Sequence, residues 1–294
     1  MKSSLGCNRM RVGLILCTLV AWTHSSTALA QSNGSKGSKS RSGGANAKLS
    51  QEAREVIAWA AKNYRIEIVW KNVPYPIALR EERKMLEGTT PTKESVDEAL
   101  VGLKTALAKY PKAVPHAAGL FKIMLGANLK ASGVHIGGYS HPPSRALILE
   151  IENEGKRAFH GLTMHHEIFH LIDRAILGQF ARQDLYWMRL NGPAFKGYQV
   201  GDGWNWMANQ PTGKAKPVAD KGFVSPYSMS SVQEDKAEVF GLLMEDPAKL
   251  TKLSKEDPVI RAKADRIKQL VHQASPRMDH KFFEKLAAEK TSEK

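Results

Sequence analysis

Five consecutive residues, His166-Glu167-Ile168-Phe169-His170, have the types and spacing to do chemistry. On an α-helix, residues i and i+4 share one face about one turn apart. Two neutral imidazoles so placed can take two corners of a tetrahedral zinc site. Glu167 follows the first histidine and sits about 100° round the helix from it, where a carboxylate reaches water at the metal. Zinc lowers the pKa of such water to about 7, and the carboxylate removes its proton as it attacks a carbonyl. The pattern points to metal-assisted hydrolysis, most often of peptide bonds.

The motif lies in a helix expected over 158 to 179, because Leu162, Phe169, Ile172 and Ile176 recur at helical spacing with Leu171 beside them. Two histidines leave the metal short of a protein ligand. Asp173 is a poor candidate. It lies seven residues from His166, about 10.5 Å along a helix axis, whereas ligand atoms on one zinc are roughly 3 to 4 Å apart. It is better suited to accepting a hydrogen bond behind the ligands, or to a surface ion pair. The longer signature HExxHxxGxxH fails, since those positions hold Asp173 and Ile176. His165 lies about 100° from the ligand direction and suits a supporting or structural place. The other rich stretch runs from Ser225 to Gly241. On a helix starting near Ser231, Glu234 and Glu238 are i and i+4 and share a face. One can bind the metal while the other accepts the ring N–H of a ligand histidine. Acidic residues in a first helical turn also complement the helix dipole, which alone would account for them.

The elements that must hold these residues are both helical and extended. A helix is expected over 51 to 63 behind Ser50, a strand over Ile66 to Trp70, and a helix over 95 to 109. Strands follow at 134 to 136 and 146 to 151, then the motif helix. A helix at 231 to 244 leads to three shorter helical segments, with Pro247 and Pro258 near the starts of two. Residues 183 to 228 hold Tyr186, Trp187, Phe195, Tyr198, Trp204 and Trp206 among six glycines and four prolines. A connection that long carries function or small elements of its own. Its aromatics fit a cleft lining and a private core equally.

HExxH followed on a later helix by a ligand glutamate is the gluzincin arrangement. Within it, Tyr227, Glu234-Asp-Lys-Ala-Glu238, Phe240 and His170-Leu-Ile-Asp173 resemble the anthrax lethal factor-like peptidases, and more closely uncharacterised bacterial zinc metallopeptidases of that general type. The resemblance spans roughly 160 to 241. It implies one Zn2+ per chain on His166, His170 and Glu234, with Glu167 as general base and Tyr227, seven residues before Glu234, facing the oxyanion. Glu238 and Asp173 would support the ligands from behind. It further implies an α+β, zincin-like fold: a small mixed sheet, the HExxH helix, a second glutamate-bearing helix and a mostly helical C-terminal part. Peptidases of this kind lay substrate along an edge strand before the active helix, which would be Ala146 to Ile151. These roles are physically coherent. Two neutral histidines and one carboxylate leave zinc with a net charge of +1, and a phenol stays protonated at neutral pH and donates well to an oxyanion. Tyr227 also fits an ordinary packed loop position.

The chain has 294 residues, with 42% hydrophobic and 24% charged residues, an ordinary globular balance. Its formal charge is +14; Lys2, Arg9, Arg11, Lys36, Lys39, Arg41 and Lys48 precede the expected fold, leaving +7 on residues 49 to 294. A mildly basic surface suits solubility and an anionic envelope surface. No basic helix or aromatic–basic alternation points to nucleic acid. Residues 1 to 30 read as a signal peptide, with a basic start, the apolar run Val12 to Ala21 and Ala28-Leu29-Ala30 as cleavage site. That run is about half a membrane span, so export to the periplasm or beyond is expected, without a retained anchor. Residues 31 to 48 form a Gly/Ser/Lys linker, and 49 to 294 the metallopeptidase domain. Both cysteines, Cys7 and Cys17, lie in the segment removed, so the mature chain has no thiol. The partner expected is a peptide or protein substrate. Two further readings fit the same residues: an envelope-binding module on this scaffold without catalysis, and a zinc hydrolase of a non-peptide amide or ester.

Overall fold

The structure, a computed structural model, describes residues 48–79, 84–198 and 220–292. The signal segment, the linker up to residue 47, and Trp204 and Trp206 lie outside the described residues. What is described is α+β: a small mixed sheet with helices against it and a helical C-terminal part. Among the described residues, no helix is long and apolar enough to cross a membrane.

The first helix, α1 (Gln51–Tyr64), begins where the Ser50 hydroxyl accepts from the Ala53 amide at 3.1 Å. It leads into β1 (Glu67–Val69), β2 (Ile77–Ala78) and β3 (Met85–Thr89). Next come α2 (Lys93–Ala108), capped by Thr92, and the short α3 (Ala113–Ala117). The sheet is then completed by β4 (Lys122–Ala131), β5 (Val134–His135), β6 (Gly138–His141), β7 (Ala146–Asn153) and β8 (Lys156–Arg157). Strand β4 is the spine, parallel to β1 and β7 and antiparallel to β3 and β5.

Residue types explain why β7 sits inside. Leu147, Leu149 and Ile151 enter the main core with the helices, while Ile148 enters a smaller cluster on the opposite face with Leu86 and Leu129. Burial on both faces makes a continuous apolar run, the mark of an interior strand. It also overturns one expectation. Residues 146 to 151 are not the edge, because β7 is hydrogen-bonded to β4 on one side and to β6 on the other. Among the described residues, β6 is paired on one side only, so the edge belongs to it. The sequence missed β4 because its alternation breaks at a bulge between Gly126 and Ala127. A side chain at Gly126 would collide with the Tyr75 hydroxyl, 2.2 Å from where its Cβ would lie.

The motif helix, α4 (Gly161–Leu177), packs beside β6 and β7 and against α6 (Val232–Glu245). Between them lies α5 (Leu185–Leu190). The chain ends in α7 (Pro247–Glu256), α8 (Pro258–Ala274) and α9 (His280–Ser292). Asp246 and Asp257 cap α7 and α8, each with proline at the first position, where no amide hydrogen is needed.

Helix α6 carries two buried cations' worth of pairing. Lys236 Nζ lies 2.7 Å from Asp173 and donates to the Ala181 carbonyl at 3.0 Å. Lys263 Nζ lies 2.6 Å from Asp235 and donates to the Gly222 carbonyl at 2.8 Å. Asp235 also accepts from Trp187 Nε1 and from the Tyr198 hydroxyl, both at 2.8 Å. Trp187 is fully buried, and Phe195, Tyr198 and Phe223 stack on one another. The described aromatics of the long connection therefore form a core of their own, apart from Tyr186, which is exposed beside Arg266.

Removing one member of a buried pair strands the other charge, at a cost of about 3–5 kcal/mol. Lys263→Met is therefore expected to lower unfolding free energy by about that amount in urea titrations, and adding Asp235→Asn should recover part of the loss.

Candidate metal centre

Three side chains meet between α4 and α6. His166 Nε2 lies 2.9 Å from Glu234 Oε2, His170 Nε2 lies 3.1 Å from His166 Nε2, and His170 Nε2 lies 3.4 Å from Glu234 Oε2. Ligand atoms around tetrahedral zinc are separated by roughly 3 to 3.5 Å. Among the described residues, His166, His170 and Glu234 are the group whose donor atoms converge in this way. Their donor types, two imidazoles and a carboxylate, suit zinc.

Local structure explains the convergence. The histidines are one turn apart on α4, and α6 approaches closely because it carries Gly241 at the crossing. A Cβ there would sit 3.3 Å from the Leu162 carbonyl. Ser231 caps α6 by accepting from the Glu234 amide at 3.2 Å. In the usual Ser-x-x-Glu box the glutamate side chain reaches back to the cap amide. Here it extends to the histidines instead.

A second layer orients the first. His166 Nδ1 lies 2.9 Å from Glu238 Oε1, and the other oxygen of Glu238 accepts from the Ser225 hydroxyl at 2.6 Å. A carboxylate on Nδ1 fixes that nitrogen as the donor and leaves Nε2 for a metal. Asp173 is elsewhere: it pairs with buried Lys236, not with either histidine. His165 is buried and structural. Its Nδ1 lies 2.8 Å from the Tyr110 hydroxyl, and its Nε2 faces Lys109 and Glu245.

Glu167 is buried beside β6. Its carboxyl is lifted above the usual carboxylate range by burial; His170 and His166 pull it back, Glu234 pushes it up, and the Ser140 amide donates to it. Gly138 permits this contact, since a Cβ there would lie 3.0 Å from Thr163 Cγ2 and 3.1 Å from Glu167 Cγ. Tyr227 sits in a short 3-10 turn (Tyr227–Met229), its ring centroid 5.9 Å from that of His166. Burial first, then Glu234, Glu167 and Glu238, raise its pKa well above normal, and its hydroxyl hydrogen-bonds to Glu234. The phenol is thus held protonated. Sequence reading missed Ser140, Gly138 and Ser225. Only the Gly137-Gly138 pair hinted at a close approach.

Without a metal, the site is a proton-bridged charge cluster. Burial pushes the His166 imidazole down, but the hydrogen bonds from Glu234 and Glu238 outweigh it and hold the ring well above its ordinary pKa. Burial pushes Glu234 up, and His170 and His166 bring it far below the usual carboxylate range.

No protein-family model matches the chain, and no curated protein matches its sequence. Among solved structures, it is similar to a protein from Bacteroides caccae named "a putative zinc-binding metallo-peptidase". Identity is 17%, the TM-score is 0.47, and the match covers 84% of this chain and 95% of that one.

Because His166 holds a proton that a metal must displace, zinc binding near pH 7 should release about one proton per ion, read by calorimetry in buffers of different ionisation enthalpy. His166→Ala and Glu234→Ala should abolish stoichiometric zinc, whereas Glu238→Gln should weaken it about 10–100-fold. Full zinc in Glu234→Ala would remove that residue from the ligand set.

Proposed function

We propose that this chain is an exported zinc-dependent metallopeptidase of gluzincin type, with a zincin-like fold and a site akin to the lethal factor-like peptidases. The observation that carries this reading is the convergence of His166, His170 and Glu234 with Glu167 and Tyr227 on either side. Export rests on residues 1 to 30, which lie outside the described residues.

When bound, zinc supplies Lewis acidity at a substrate carbonyl and makes a water acidic near neutral pH. The remaining work falls to the side chains. An extended peptide can add to the unpaired side of β6, using main-chain hydrogen bonds that are blind to sequence. This brings its backbone past Glu167. The raised pKa of Glu167 suits a group that accepts the attacking water's proton and then gives it to the leaving amine. Tyr227, held protonated, donates to the carbonyl oxygen as negative charge develops there. Glu238 keeps the His166 tautomer fixed.

A peptide library incubated with and without chelator tests the reading. Chelator-sensitive cleavage is expected. Glu167→Gln should keep one zinc per chain and lose about 10²–10⁴ in kcat/KM, and Tyr227→Phe should lose about 10²–10³, mainly in kcat. A zinc-loaded wild type that cleaves no peptide would favour a binding module or a non-peptide amide or ester as substrate.

A further inference from the structure

We propose that a cavity between Arg145 and Arg174 is a carboxylate subsite of the cleft, so that the enzyme prefers peptides with Asp or Glu about three residues from the bond it cuts. This inference rests on the peptidase reading and adds a substrate class to it. The cavity measures about 250 Å³ and is lined by the two arginines, Pro142, Leu171 and Ala175 among others. That is below the ~300–1,000 Å³ typical of pockets that enclose a whole small ligand, so it suits one side chain.

Its place follows from helix geometry. Arg174 is seven residues beyond Glu167, which returns it to nearly the same face of α4 about 10 Å further along. Strand β6 follows the same course: Gly138 and Ser140 adjoin Thr163 and Glu167, and Pro142, just past the strand's end, adjoins the cavity with Leu171. A peptide extended along β6 advances about 3.3 Å per residue and reaches the cavity about three residues from Glu167. If its pairing with β6 is antiparallel, the more stable arrangement, that residue lies on the N-terminal side of the scissile bond.

Its chemistry follows from charge. Lys109, Lys236 and Lys263 each have an acidic partner. Arg145 and Arg174 have none among the described residues, and no acid lines the cavity. Arg145 is also held in place. Its backbone is left-handed at φ 54°, and its carbonyl accepts from the Phe121 and Lys122 amides at 2.9 and 3.2 Å. Its guanidinium carbon sits 3.6 Å over the Phe121 ring. Stacking occupies the face of the guanidinium and leaves its N–H edge for an acceptor. Two guanidinium groups beside an apolar wall favour a carboxylate, which they can bind through paired N–H donors.

The test uses two decapeptides that differ only in Glu or Gln, scanned over the second to fourth positions on each side of a bond that the zinc-loaded enzyme cuts. The Glu peptide should show at least about tenfold higher kcat/KM at one position, as expected for a charge-assisted contact. Arg145→Gln with Arg174→Gln should bring the ratio to within about twofold by lowering only the Glu peptide, with zinc content unchanged. Arg174→Gln alone, at an exposed site, serves if the double variant does not fold. Lys252→Gln with Lys255→Gln makes the same charge change elsewhere and should keep the ratio. A wild-type ratio near one overturns the subsite, as does a ratio that survives the arginine changes or is lost with the lysines. If no peptide is cut, the peptidase reading fails, and anisotropy with labelled versions of the same peptides decides the subsite. Tighter binding of the Glu peptide that depends on both arginines supports it, and equal binding of the two peptides overturns it.

Discussion

The structure depends on how closely α6 can approach α4. Gly241 sits at the crossing, where any side chain would press on the Leu162 carbonyl. Its bare backbone brings the first turn of α6 within hydrogen-bonding distance of His166. From there Glu234 and Glu238 take the two nitrogens of one imidazole, each at 2.9 Å. One ring thereby joins what the chemistry needs, a ligand carboxylate and a carboxylate that fixes a tautomer. A longer separation would leave two buried acids without partners, which is costly.

Charge burial extends the same logic to the rest of α6. Four ionisable residues in succession or near it, Glu234, Asp235, Lys236 and Glu238, point inward to different partners. Lys236 answers Asp173 on α4, and Lys263 on α8 answers Asp235. Trp187 and Tyr198 add hydrogen bonds to Asp235, tying the long aromatic connection to the helix that carries the metal-binding carboxylate. Such pairs gain little net stability over apolar packing, but breaking one is expensive, so they specify a single arrangement of the helices around the site.

The sheet contributes an edge and a limit. Strand β7 is saturated on both sides, which leaves β6 to face the cleft. The Ser140 amide on that strand donates to Glu167, and Gly138 makes room for the glutamate stem. Backbone and base are thus positioned by one four-residue strand. Past its end, Arg145 and Arg174 set a positive charge along the line that an extended peptide would follow.

Much of this was legible in the sequence where the physics is local. His166 and His170 share a face because a helix repeats every 3.6 residues, and the apolar spacing of Leu162, Phe169 and Ile172 says that a helix forms there. Capping chemistry marked Ser50 and Ser231, and proline marked the starts of α7 and α8. The sequence also narrowed the partner of the histidines to Glu234 or Glu238, since both lie on one helical face. Which of the two meets Nε2 and which Nδ1 depends on how two helices 68 residues apart cross, and only tertiary packing decides that. The same holds for Asp173, whose neighbour on the folded chain is a lysine, and for β4 and β6. A bulged central strand and a four-residue edge carry too little periodicity to be read alone, because strand pairing is a contact between distant segments and leaves no local trace.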